Sequence, residues 1–178
     1  MTDPNPYVAP DSALAATPAE KPYDKRYDGL GGWLILIGLG IVFGPFQMLS
    51  HLIRTASSVF SNGTWEAVTS TGSEAYHPFW APFLILEIGF AAISFLVTIY
   101  MAFLFFGKSR AFPTCFIWFQ SVTLVFMIVD ALLLQVVRPD LPLIDPSDMG
   151  AIQRSLFGCF VWIPYMLIST RVASTFRR

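Results

Sequence analysis

Of the 178 residues, 54% are hydrophobic, 16% aromatic and only 13% charged, and mean hydropathy is +0.59, against roughly 45–50% apolar and about 25% charged in soluble domains. With 11 Lys and Arg against 12 Asp and Glu the formal net charge is −1, so no basic field exists to attract nucleic acid, which is excluded as an expected partner. Water is not the main solvent of such a chain, and the lipid bilayer is its first expected partner.

Residues 1–29 carry Pro4, Pro6, Pro10, Pro18 and Pro22 among Asp, Ala, Ser and Thr, with little apolar surface to bury. They are expected to form a disordered, Pro-rich cytoplasmic arm. A secretory signal would need a 7–15-residue apolar core after a short basic start; here a long polar stretch comes first and the apolar run that follows is longer.

Four apolar runs then predict four spans, over residues 30–50, 79–106, 111–137 and 149–170. The second is interrupted only by Glu87 and the third only by Asp130, and each can cross a hydrocarbon core of about 30 Å at 1.5 Å per helical residue. The fourth carries Arg154 near its start, which is expected to snorkel toward the interface. No run alternates as a barrel strand does, and backbone groups in lipid must bond within their own segment, so the spans are expected to be helices. The expected fold is an all-α membrane protein, four transmembrane helices in an antiparallel bundle over residues 30–176.

Orientation is set by Lys and Arg near span ends. Lys21, Lys25, Arg26, Lys108, Arg110, Arg171, Arg177 and Arg178 fall on one side and Arg54, Arg138 and Arg154 on the other, which predicts both termini cytoplasmic. Between spans, residues 51–78 are rich in Ser, Thr and Gly, and residues 138–148 hold three prolines and three aspartates. Cys115 and Cys159 belong to opposite halves of the bilayer and are read as small core residues rather than a disulfide.

Soluble catalytic motifs are missing: the sequence has no GxxxxGK[ST], GxGxxG, HExxH, CxxC or GxSxG. His51 and His77 are the only imidazoles and no third ligand is evident, so neither a metal nor another cofactor is expected, and no catalytic residue is assigned. The residues that carry information are the two intramembrane acids, since an ionisable group in a span is by default a functional hypothesis. Counted from the turn at Ser109, Glu87 and Asp130 fall at nearly the same height. Gln47 and His51 on span one and Arg154 on span four lie at the same end, so these five residues could meet as a polar cluster that shares a proton or holds a ligand. The bland alternative is that the acids stay hydrated near headgroups or pair with Arg154, Arg54 or Arg138 and lock the bundle.

Small residues mark packing faces: Gly40 and Gly44 as a GxxxG, Ala91 and Ser94 on span two, and Gly158 on span four. The bland reading of the GxxxG is packing inside the unit; the sharper one is self-association. Gly44-Pro45 and Pro164 are expected to bend their helices.

Two stretches, Gly31-Gly32-Trp33-Leu34-Ile35-Leu36-Ile37-Gly38-Leu39-Gly40 and Val161-Trp162-Ile163-Pro164-Tyr165-Met166-Leu167-Ile168-Ser169-Thr170-Arg171-Val172, resemble the opening and closing signatures of the bacterial membrane family of domain of unknown function 2569. The resemblance covers about residues 30–176. It implies a four-helix, multi-pass protein of the bacterial cytoplasmic (inner) membrane and supplies no activity. The functional expectation is a non-enzymatic accessory, scaffold or self-associating subunit, with another copy or another membrane protein as partner. The alternatives are a small proton-coupled transporter or channel using Glu87 and Asp130 and, last, an intramembrane enzyme.

Overall fold

The computed structural model describes residues 29–140, 142 and 149–177; the expected arm lies almost wholly outside these residues, with only Gly29 described. Three helices of equal length form first: α1 (Leu34–Phe60), α3 (Trp80–Phe106) and α4 (Ala111–Val137), each of 27 residues, or about 40 Å at 1.5 Å per residue. A six-residue helix α2 (Thr64–Thr69) lies between α1 and α3. The fourth span is assembled from α5 (Met149–Phe157), a π-helical turn Gly158–Trp162 and α6 (Ile163–Ile168), and is followed by α7 (Thr170–Thr175). Four helical stretches are thus long and apolar enough to cross a membrane, and no strand occurs among the described residues.

Their surface is inverted relative to a protein in water. Phe103 and Phe160 are 73% and 74% exposed while Ser94 and Thr98 are 4% and 6% exposed. Large apolar side chains on the outside are tolerable only where the surroundings are themselves apolar, and small or hydroxyl-bearing residues inside let helix backbones approach. Residues Ala91, Ser94, Thr98, Met101 and Phe105 form the buried stripe of α3, and α3 is the principal neighbour of α1.

Helices α3 and α4 join through a tight turn. Gly107 N–H donates to Phe103 O at 2.9 Å, Lys108 N–H to Phe105 O at 3.1 Å and Ser109 N–H to Leu104 O at 2.9 Å. These bonds occupy carbonyls that the end of α3 would otherwise leave bare. Lys108 takes the left-handed position (φ 52°), where glycine is the usual residue. The chain therefore reverses within four residues and α4 runs back antiparallel beside α3.

The main core sits at the end of the bundle that carries both termini. Leu34, Ile37, Ile41, Met101, Phe105, Phe112, Phe116, Met166, Val172 and Phe176 pack together there. Phe105 meets Phe112 edge-on at 5.1 Å and Phe112 stacks on Phe176 at 4.7 Å. Gly38 makes this possible, since a Cβ on it would stand 3.2 Å from the Phe105 ring. The second core, at the opposite end, joins Val59 and Val68 to Phe83 and Leu84, with Trp65, Trp80, Ile88, Leu133 and Leu134 against it.

Two elements depart from the sequence expectation. Helix α1 runs ten residues past Ser50 to Phe60, because Leu52, half-buried, and Val59, buried, continue its inward stripe to the second core. Span four is not one regular helix. Pro164 cannot donate to the Phe160 carbonyl and its ring crowds that oxygen, and the π-helical turn just before it widens the helix where the ladder is broken. Beyond Ile168, Ser169 turns extended (ψ 122°) and its hydroxyl accepts from Val172 N–H, starting α7. Pro45, in contrast, is accommodated inside a continuous α1.

Candidate functional site

The acids are positioned by an aromatic pair. Phe90 of α3 and Phe126 of α4 stack with centroids 3.6 Å apart and planes 3° from parallel, which fixes the register of the two helices. Glu87 precedes Phe90 by three residues and Asp130 follows Phe126 by four, so in an antiparallel pair both lie one turn beyond the stack toward the same end. The helix bounds agree, because Glu87 is nineteen residues from Phe106 and Asp130 nineteen from Ala111. Both acids are half-buried. On their other side stand Phe83, Leu84, Leu133 and Leu134 of the second core, so the two carboxyl groups occupy a layer between two apolar ones.

The other three polar candidates are placed elsewhere. Gln47 and His51 are exposed, on the side of α1 turned away from Ile41, Leu52 and Val59, and His51 Nδ1 has its hydrogen-bond contact with Thr55 Oγ1 of the same helix at 3.4 Å. Arg154 is exposed on α5 and lines a cavity with Gln120 and Gln153. Among the described residues no ion pair joins Arg154 to either acid, whereas Arg138 pairs with Asp140 at 2.8 Å. The five residues therefore do not form one cluster around the acids.

The small residues also separate into two kinds. Ala91 and Ser94 are buried on the α3 stripe, and a Cβ on Gly158 would run into Gln120 Nε2 of α4. Gly40 and Gly44 pack on nothing: a Cβ on either would find no atom within 4 Å. They wall a cavity of about 220 Å³ at the middle of the bundle, completed by Thr98, Phe116, Gln120 and Trp162. That cavity and the larger one beside Arg154, about 550 Å³, share Gln120 and Trp162. They adjoin at these two residues, so a groove runs from α1 across Gln120 of α4 to the fourth span. Toward the termini end, Trp162 meets Trp33 edge-on at 6.2 Å.

At that end the two signature stretches of the sequence meet. Gly31 and Gly32 lie under Arg171, whose Nη1 would be 2.9 Å from a Cβ on Gly31 and whose Nε 3.5 Å from one on Gly32, itself at φ +60°. Thr175 Oγ1 donates to Gly29 O at 3.1 Å, and Arg110 Nε donates to Arg177 O at 2.6 Å. A family model described as protein of unknown function (DUF2569) matches residues 27–177, both stretches included. The chain belongs to this family. No curated protein and no solved structure matches it. The matched region takes in the contacts among Gly29, Arg171 and Thr175 that join its two ends.

Gln120, Gln153 and Trp162 as groove residues, and Gly38 as the tightly packed glycine of α1, do not stand out from the sequence pattern. Gln120 was the discoverable one, an amide ten residues into an apolar span, where it has no water to bond.

Proposed function

We propose that this membrane protein is a non-enzymatic subunit that works by association, holding a membrane-borne partner in the groove between α1 and the fourth span, in a bacterial cytoplasmic membrane with both termini cytoplasmic. The observation that supports it most is the open space in front of Gly40 and Gly44, a small-residue face of the kind helices use for close approach but left without a neighbour inside the bundle. The asymmetry of Lys and Arg supports the orientation.

Purification in a mild detergent tests the reading. Wild-type protein should retain a second component, whether another copy, another protein or lipid, and Gly40→Leu with Gly44→Leu should release it while leaving the thermal midpoint in place. A wild-type chain that emerges bare and monomeric, with the double variant indistinguishable from it, would sink the proposal.

A second reading, proton-coupled transport, is favoured by the shared height of Glu87 and Asp130 beside the Phe90–Phe126 stack. It ranks second because the stack lies between the acids and the termini end. Glu87→Gln and Asp130→Asn should abolish pH-dependent flux into liposomes if it holds; unchanged flux refutes it.

A further inference from the structure

We infer that the groove is a site for a phospholipid of net negative headgroup, its phosphate at Arg154 and one acyl chain lying along Gly44 and Gly40; the assignment rests on the association reading and names the partner.

Size comes first. One turn of helix with its side chains is a cylinder about 10–12 Å across and 5.4 Å tall, roughly 400–600 Å³. The cavity in front of Gly40 and Gly44 holds about 220 Å³, so a helix could pack over it without filling it, whereas the narrow end of a methylene chain fits inside. Its walls, Leu36, Ile41, Met48, Met101, Phe116 and Phe119, are apolar. Trp162, which meets Trp33 edge-on, lines both this cavity and its neighbour, so a chain lying in it can continue past Trp162 and Gln120 into the second cavity.

That direction leads to Arg154. The neighbouring cavity, about 550 Å³, is lined by Arg154 with the amides of Gln153 and Gln120. Gly150 keeps the space beside the guanidinium clear, since a Cβ there would stand 3.4 Å from Arg154 Nη1. Arg154 is always charged, and among the described residues no carboxylate lines this cavity or pairs with it. Glu87 and Asp130 lie one turn beyond the α3–α4 stack instead. A guanidinium on a candidate span whose cavity is lined by no acid among the described residues is complementary to phosphate, which its planar fork binds through two parallel hydrogen bonds.

The heights match a lipid. Counted from the termini end, Gly44 stands ten residues along α1, Gln120 nine along α4 and Arg154 fourteen back from Ile168, or about 15, 14 and 21 Å. The cation is therefore above the groove's apolar part, in the order headgroup then chain.

The test uses the full chain in dodecyl maltoside, given phosphatidylglycerol or phosphatidylcholine of identical chains, with bound lipid counted by native mass spectrometry. Wild type should retain phosphatidylglycerol about tenfold over phosphatidylcholine, the factor expected of one hydrogen bond to a charged group. Arg154→Gln should bring that ratio to about one with an unchanged thermal midpoint, and Gly44→Leu should reduce retention of both lipids. Lipid brominated in mid-chain should quench wild-type tryptophan fluorescence, and Trp162→Phe should lower the quenching, the rest coming from the exposed Trp33 and Trp118; quenching unchanged by Trp162→Phe counts against a chain in the groove. Equal retention of the two lipids by wild type, or a preference that survives Arg154→Gln, overturns the lipid assignment. If Gly44→Leu releases a polypeptide or a second copy and leaves lipid untouched, the lipid assignment fails and the association reading stands. If it releases nothing, both fail.

Discussion

Phe105→Ala should destabilise the bundle where Phe103→Ala should not, although both remove a phenyl ring from the same helix two residues apart. In a protein in water a buried Phe→Ala costs about 3–5 kcal/mol, much of it transfer from water. Here the ring leaves the core for acyl chains that are equally apolar, so the packing contribution dominates. Phe105 is 2% exposed and meets Phe112 at 5.1 Å and Phe176 at 5.8 Å; two aromatic pairs at about 0.5–1.5 kcal/mol each give a loss of about 1–3 kcal/mol. Phe103, 73% exposed, exchanges one lipid contact for another and should change stability by less than about 0.5 kcal/mol. Unfolding by sodium dodecyl sulfate added to dodecyl maltoside micelles, followed by tryptophan fluorescence, measures both. Equal losses for the two variants would refute the claim that packing, and not exclusion from water, holds this end together.

Gly32→Ala forces a Cβ onto a left-handed residue at φ +60° beneath Arg171 and should cost about 1–2 kcal/mol, while Gly44→Ala, in open space, should not lower the midpoint in the same titration. The Arg138 guanidinium holds the Asp140 carboxyl below the usual carboxylate range through its hydrogen bond. Its contribution is then present above the ordinary carboxylate pKa and lost as pH falls through the lowered value. Arg138→Gln should move the Asp140 titration upward in a carbon-13 NMR experiment and leave the neutral-pH midpoint unchanged, because the pair is exposed. Reporter fusions at Ser73 and after Arg178 should read external and cytoplasmic respectively, and an external carboxyl terminus would overturn the orientation.

The spans over 79–106 and 111–137 were legible almost to the residue, because charge and glycine at 107–110 end one apolar run and start the next, and the observed helices are Trp80–Phe106 and Ala111–Val137. The end of α1 was not. After Ser50 the run turns polar at His51 and Arg54, but helix continues there for tertiary reasons, since Val59 packs on Phe83 and Val68. The break at Ser169 was equally hidden, as it depends on Val172 and Phe176 folding back onto Phe105 and Phe112. For the site, counting from Ser109 put Glu87 and Asp130 at one height, which the helix bounds reproduce. It could not say which side of each helix meets a neighbour. Gln47 and His51 share a stripe in sequence, but the inward face of α1 is set by Ile37, Ile41 and Val59, and the groove exists only through the seam that α1 and the fourth span leave unsealed.

The clasp between Gly29 and Thr175 spans 146 positions of chain. A ribosome delivering this polypeptide into the bilayer will already have released Leu34, Phe105 and Phe112 before Val172 and Phe176 exist to cover them. Completion of that aromatic knot therefore waits for residues 170–176, and a chain shortened to end at Ile168 would keep four apolar helices with Leu34, Phe105 and Phe112 lacking the cover of Val172 and Phe176.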